Sequence, residues 1–341
     1  MSDARFEGID YLRALLSVFV VVWHMGGGGR SLIFSTDRYQ EHTFILSDLI
    51  NFHVLLQAVP TFVLVSCFLF ASHGASRRRL VENLKRFLIL VSFWATTFSI
   101  FRAGSAGPSS SVPNGLGELA VTVLTAGHTI YFFFVSLLIC QLIVFLIVTM
   151  SCRLQILGMI LATVMVACLP VLAQLIDCPL LGAYWNPLNF VPYPFVAVLI
   201  AQNRDFVRSN KLLLLGMSGA MFILLSIFEW HYSVSGIFIP GQGYAIPTYT
   251  RASLVFSGAV IGVVAIDSKI RAPRAINYMA KYSLALYCLH PFLIDPVKRL
   301  VVGALSGNSV IATYVAIVAV LLISYLIAPV LRIYLKDRIV L

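Results

Sequence analysis

Carboxylates are scarce in this chain. Only 14 Asp and Glu stand against 24 Lys and Arg over 341 residues, and charged residues make up 11% while 60% are hydrophobic. That leaves too little polar surface to coat a globule of this size, which excludes a water-soluble fold. Short alternating apolar and polar segments are also lacking. Runs such as 136–150 and 154–173 are apolar nearly all round, which excludes spanning strands and leaves membrane helices. The six cysteines, at 67, 140, 152, 168, 178 and 288, show no CxxC and no Cys/His metal spacing, so they are expected as buried small hydrophobes with no disulfide and no metal. There is no Walker loop or Rossmann fingerprint, and no G-x-S-x-G elbow around Ser66, so no resident cofactor is expected. No internal repeat of the kind that marks many secondary transporters is evident.

What the chain does have is a series of apolar helices. Ten spans are expected, at about 9–25, 52–72, 84–102, 118–149, 154–175, 188–202, 211–230, 250–267, 280–302 and 309–334. The expected fold is therefore all-α: a polytopic transmembrane bundle of about ten helices, with residues 1–341 forming one membrane domain and no soluble extension. Mixed charges precede the first span and a glycine run follows it, so it reads as a retained helix and not as a cleavable signal. With the N-terminus inside, 18 of the 24 basic residues fall in cytoplasmic segments. Only Arg30, Arg38, Arg102, Arg251, Lys298 and Arg299 remain outside. The positive-inside rule thus favours two cytoplasmic termini, and it explains the net charge of +10 without nucleic acid. Pro187, Pro192 and Pro194 make the span at 188–202 the weakest. The Gly-, Ser- and Pro-rich stretches at 103–117 and 232–249 read as irregular outer loops suited to covering a site mouth.

Two polar residues break the first apolar run. Arg13 and His24 are eleven positions apart, about 20° beyond three full turns, so they share one helix face and are separated by ~16.5 Å along the axis. Such residues are expensive in hydrocarbon, and they usually mark a site or a pathway.

The surrounding motifs carry a resemblance. Arg5-Phe6-Glu7-Gly8-Ile9-Asp10-Tyr11-Leu12-Arg13-Ala14, with ten residues between Arg13 and His24, resembles the R-x-x-G-L-D-G-L-R-A opening of the membrane-bound acyltransferase 3 family. Val59-Pro60-Thr61-Phe62-Val63-Leu64-Val65-Ser66-Cys67-Phe68-Leu69 is similar to the family's V-P-x-F-F-x-x-S-G-F-L stretch, with Cys67 in place of glycine. Lys85-Arg86 before Trp94 resembles the family's R-x-x-R lead into its third helix. The second arginine falls on Arg86 and the first on Asn83, so the pair is half present, and Arg78, Arg79 or Lys85 would have to supply the missing charge. Tyr131-Phe132 resembles an aromatic step on the fourth helix, and Tyr282-Ser283 through Tyr287-Cys288-Leu289-His290 resembles a late Y-S-x-x-x-Y-x-x-H segment.

Each candidate has a chemical reading and a plainer one. A neutral imidazole at His24 can take a proton from a hydroxyl as that oxygen attacks a thioester; the alternative is a core histidine bonded to a neighbouring helix. Arg13 can hold a phosphate or orient a donor through paired N–H groups, or simply anchor the inner end of the helix. Asp10, one turn earlier, can position Arg13 or stand solvated. Arg86 and Lys85, beside Arg77, Arg78 and Arg79, form a basic cluster that can hold donor phosphates or contact lipid headgroups. His290, before Pro291, can bond an acceptor substrate or cap carbonyls freed by the proline, and Tyr131 is placed with it on the acceptor side. No catalytic role is expected for His42, His53, His73, His128 or His231.

The resemblance implies an O-acyltransferase that moves an acyl group, acetyl in the first instance, from cytoplasmic acetyl-CoA or another acyl-CoA to a sugar hydroxyl. The acceptor would be an exopolysaccharide, lipopolysaccharide O-antigen or lipid-linked glycan, and the location a bacterial inner membrane. Membrane lipids are the other expected partners. A non-glycan acceptor, such as a macrolide or a peptidoglycan precursor, is the alternative within the family. From the residues alone, a transporter or flippase is the rival, weakened by the absent repeat and the few mid-membrane acids.

Overall fold

The computed structural model describes residues 6–26, 46–106, 126, 129–234, 248–305 and 309–335, and among them all regular structure is helical. Arg5, His42 and His128, residues 118–125 of the fourth expected span, and residues 107–117 and 235–247 of the two expected loops lie outside the described residues.

Every expected span has a helical counterpart. The first is α1, Glu7–His24. The second is a continuous rod built from α2 (Leu46–Leu49), a π-turn (Ile50–Val54), a 3₁₀ turn (Leu55–Gln57) and α3 (Ala58–Ser72). Gly74 and Ala75, at φ 87° and 34°, turn the chain into α4, Arg77–Ala106. There follow α5 (Phe132–Ile147), α6 (Cys152–Leu175), α7 (Pro192–Gln202), α8 (Arg204–Ser209), α9 (Lys211–Val234) and α10 (Ser253–Asp267). The described chain ends with α11 (Arg274–Lys281), α12 (Ser283–Ala304) and α13 (Ser309–Leu335). Two of these helices run past the expected boundaries: α4 continues to Ala106 and α9 to Val234.

Among the described residues, five segments are long and apolar enough to cross a membrane: Leu46–Ser72, Arg77–Phe101, Cys152–Leu175, Lys211–His231 and Val310–Ile333. Phe132–Ile147 and Ser253–Asp267 are apolar but shorter. The span expected at 188–202 resolves into a 3₁₀ turn, Pro187–Phe190, and the 11-residue α7. At 1.5 Å per residue α7 covers only ~16.5 Å, about half a hydrocarbon core, because Pro187 opens a separate 3₁₀ turn and the α-helix begins only at Pro192.

The burial pattern is that of a bundle in lipid. Leu157 and Leu161 of α6, Leu212 and Leu224 of α9, and Leu322 and Leu326 of α13 are all exposed large apolar side chains. So much outward apolar surface would be untenable in water. In lipid, association rests on close packing, and α1 is packed on several sides: against α3, α10, α11, α12 and α13. Gly8 permits this. A Cβ there would collide with the Ala265 carbonyl oxygen and sit 2.7 Å from Ser268 Cβ, so only glycine lets α1 lie so near the end of α10. Polar ties fix the register of α1: Glu7 Oε2 accepts from the Ala272 amide at 3.1 Å, and Ser17 Oγ meets the Tyr325 hydroxyl at 2.9 Å.

The cysteines are free thiols. Cys67, Cys140 and Cys288 are buried as expected, Cys178 is half-buried, and Cys152 and Cys168 are exposed on α6, whose exposed face is largely apolar.

Candidate active site

Because α1 is an unbroken helix from Glu7 to His24, Arg13 and His24 keep their common face. Each end of that face meets a second polar residue from another helix.

At the His24 end of that face, α12 brings His290 against His24, with ring centroids 5.1 Å apart and planes inclined by 39°. His24 keeps accessible surface, whereas His290 is fully buried. His290 Nδ1 lies 3.2 Å from the Leu286 carbonyl oxygen. A carbonyl only accepts, so the proton of neutral His290 sits on Nδ1 and Nε2 is left as an acceptor. That Nε2 is buried and has no hydrogen-bond partner. Pro291 lacks the N–H that would bond Tyr287 O, and that carbonyl also faces the His290 ring. The two readings of His290 are therefore compatible, since one nitrogen caps carbonyls near the proline while the other remains open.

Toward the start of α1, Arg13 is half-buried and feels the charge of Asp10, one turn earlier. Arg86 of α4 comes near enough for its charge and that of Arg13 to act on each other. Its Nε is buried without a hydrogen-bond partner. Two guanidinium charges that act on each other in a partly desolvated place repel, and an anion bound near both would relieve that repulsion. Lys85 turns outward and is exposed, so Arg86 is the residue of this pair that faces the bundle.

Asn83, where the motif carries its first arginine, is used differently. Its amide donates to Gln141 Oε1 at 2.9 Å, and Gln141 donates in turn to Ser66 Oγ at 3.1 Å. The chain of bonds ties α4 to α5 and α3. Tyr131 is likewise engaged: its buried hydroxyl donates to the Cys288 carbonyl oxygen at 3.0 Å, fixing the start of α5 against α12 two residues before His290. The Tyr287 hydroxyl donates to the Ile130 carbonyl oxygen. Beyond Pro291, Phe292 packs among Trp94, Phe98 and Phe101 of α4 at 6.0, 5.5 and 5.2 Å, an aromatic wall beside the histidines.

A second polar cluster is missed by the sequence reading. Arg251, counted among outer-segment cations, is fully buried and pairs with Glu229 through Nε at 2.8 Å. Its other nitrogens donate to Phe52 O at 2.8 Å and Ser253 Oγ at 3.2 Å, and one meets His53 Nδ1 at 3.0 Å. Glu229 also accepts from the Ser253 amide and hydroxyl at 2.8 and 2.6 Å. The available signal was a lone acid near the end of one apolar helix and a lone cation before the next, since opposite charges at matching depth on a helical hairpin usually pair. The network reaches the site indirectly, because Phe52 sits edge-on to Trp23 at 5.5 Å, next to His24.

The arrangement can therefore offer an imidazole base backed by a second imidazole, with an anion-binding pair of guanidiniums farther along the same helix face. No metal-binding group of three His, Cys, Asp or Glu side chains occurs among the described residues. No curated protein and no solved structure matches the chain. A family model described as an acyltransferase domain matches residues 6–329, nearly the whole chain, and the protein belongs to that family, the acyltransferase 3 family its motifs resemble.

Proposed function

We propose that this membrane acyltransferase moves an acyl group, acetyl in the first instance, from coenzyme A to a hydroxyl of a cell-surface glycan in a bacterial inner membrane. The observation that carries the reading is the juxtaposition of His24 and His290 at one end of the α1 face that bears Arg13, with Arg86 beside Arg13. Coenzyme A is a phosphate-rich donor with a long flexible arm ending in the thioester. Arg86 and Arg13 would hold a phosphate at the cytoplasmic end, leaving the arm to run along α1 toward His24.

In the proposed reaction the acceptor hydroxyl donates its proton to His24 as its oxygen attacks the thioester carbonyl. The C–O ester bond forms, the C–S bond breaks, and the proton on His24 passes to the departing thiolate. His290 Nε2, an acceptor with no internal partner, would receive a hydrogen bond from the His24 ring or from the acceptor sugar. Asp10 would position Arg13, and Tyr131 would hold the His290 segment through Cys288.

Purified protein supplied with radiolabelled acetyl-CoA and a glycan acceptor tests the proposal. Acceptor-dependent transfer of label is expected. Movement of glycan across a vesicle membrane without label transfer would overturn the reading in favour of transport.

A further inference from the structure

Away from α1's polar face, α8 and the ends of α7, α9 and α10 enclose a cavity of about 210 Å³. Its cations are Arg204, Arg208 and Lys211, its acids are Asp205 and Asp267, and Phe6, Ile200 and Val263 help line it. That is room for about seven waters at their liquid volume, suited to a headgroup-sized ligand more than to a single small ion.

The cations differ in what they are already doing. Lys211 is paired with Asp267 at 2.8 Å, and Arg208 approaches the same carboxylate at 3.8 Å. Arg204 has no ion pair among the described residues. Its guanidinium is instead held over the rings of Phe6 and Phe68, 5.1 and 5.2 Å from their centroids. Its charge is thus held against two rings inclined to each other by 75°, while its N–H groups carry no ion pair among the described residues, a state open to a phosphate.

The setting indicates where such a phosphate comes from. Phe206 of α8 is 60% exposed and Leu212, at the start of α9, is 85% exposed. Both are the kind of outward apolar side chain that lies against lipid, and they flank the three cations. A basic cavity with an apolar lining at the end of a lipid-facing helix matches the two parts of an anionic phospholipid, headgroup and chain. We propose that this cavity binds the phosphate headgroup of an anionic phospholipid, with Arg204 as the principal contact. The site is separate from the acyl-transfer chemistry and does not depend on it. A phosphate of a soluble donor such as coenzyme A has the same chemistry, so the test must tell the two sources apart.

The test uses native mass spectrometry of the full chain released from bilayer discs of phosphatidylcholine and phosphatidylglycerol at three to one. The wild type should retain phosphatidylglycerol in preference to phosphatidylcholine, and an excess of coenzyme A or inorganic phosphate should not displace it. Arg204→Gln should lower that retention about fivefold, the effect of one basic contact near an anionic surface. Lys211→Gln, which leaves the Phe6–Phe68 stack intact, should lower it as well and guards against a folding defect in the first variant. Arg274→Gln, an exposed arginine outside the cavity, should leave it unchanged. Equal retention of the two lipids, an equal loss in Arg274→Gln, or displacement by coenzyme A would each overturn the proposal.

Discussion

His290 meets His24 with ring centres 5.1 Å apart while its own Nδ1 is committed to the Leu286 carbonyl. In the proposed reaction the two histidines have unequal roles, His24 for proton transfer and the buried His290 for support. His24→Ala should reduce kcat by about 10²- to 10⁴-fold, the usual worth of a positioned general base, with membrane insertion intact. His290→Gln should cost less, because glutamine keeps an acceptor. The double variant should be no slower than His24→Ala alone, since groups that act as a unit are not additive. Wild-type turnover in His24→Ala, or losses that multiply in the double variant, would remove the pair from the mechanism.

Under the proposed function, Arg86 separates donor binding from chemistry. With Arg13 close by and its own Nε unpartnered, it is built to contact an anion. Arg86→Ala should raise the KM for acyl-CoA by about tenfold, the loss of one charge-assisted hydrogen bond, with a smaller change in kcat. Arg86→Lys should recover part of the affinity, because it keeps the charge and loses the planar fork. Lys85→Ala should change little, as Lys85 points away from the bundle. A donor KM unchanged by Arg86→Ala would assign the guanidinium pair to another ligand.

These relationships were legible in the sequence only along a single helix. Eleven residues between Arg13 and His24 fix a shared face by geometry, and the one-turn offset of Asp10 follows in the same way. The partners from other helices were visible as motif members, but no local pattern says that Arg86 comes to Arg13 or His290 to His24. Five of the expected spans correspond to described helices long and apolar enough to cross a membrane, whereas α7 is short, and whether the prolines near its start end a crossing or bend one is not written in the local sequence. The pairing of Arg251 was missed for a related reason: nothing local marks a lone arginine beside a polar loop as buried, and its acid lies 22 residues earlier on another helix.

That acid makes a strong stability prediction. Arg251 is fully buried and Glu229 nearly so, so Arg251→Ala leaves a carboxylate without its cation and removes the donor to Phe52 O. Breaking one side of such a pair costs about 3 kcal/mol, which should appear as a clear fall in the thermal midpoint in detergent. Arg251→Met combined with Glu229→Met should be less destabilised than Arg251→Ala, because no buried charge is left unpaired. Because Phe52 packs on Trp23, the single variant should also depress kcat through the setting of His24. A thermal midpoint equal to the wild type's would show that the pair is dispensable.

Asn83 distinguishes a structural role from a vestigial donor site. Its amide is the first of two hydrogen bonds that join α4, α5 and α3 through Gln141 to Ser66. A side chain engaged in this way is not available to a donor phosphate, which leaves Arg86 and Arg13 to supply that contact. Asn83→Ala should therefore lower stability by about 1 kcal/mol, the net worth of a partly buried hydrogen bond, while leaving the KM for acyl-CoA unchanged. Gln141→Ala should give a similar loss, and the double variant should cost little more than either single one, since both remove the same bridge. A rise in donor KM on Asn83→Ala, at unaltered stability, would instead place this position at the donor.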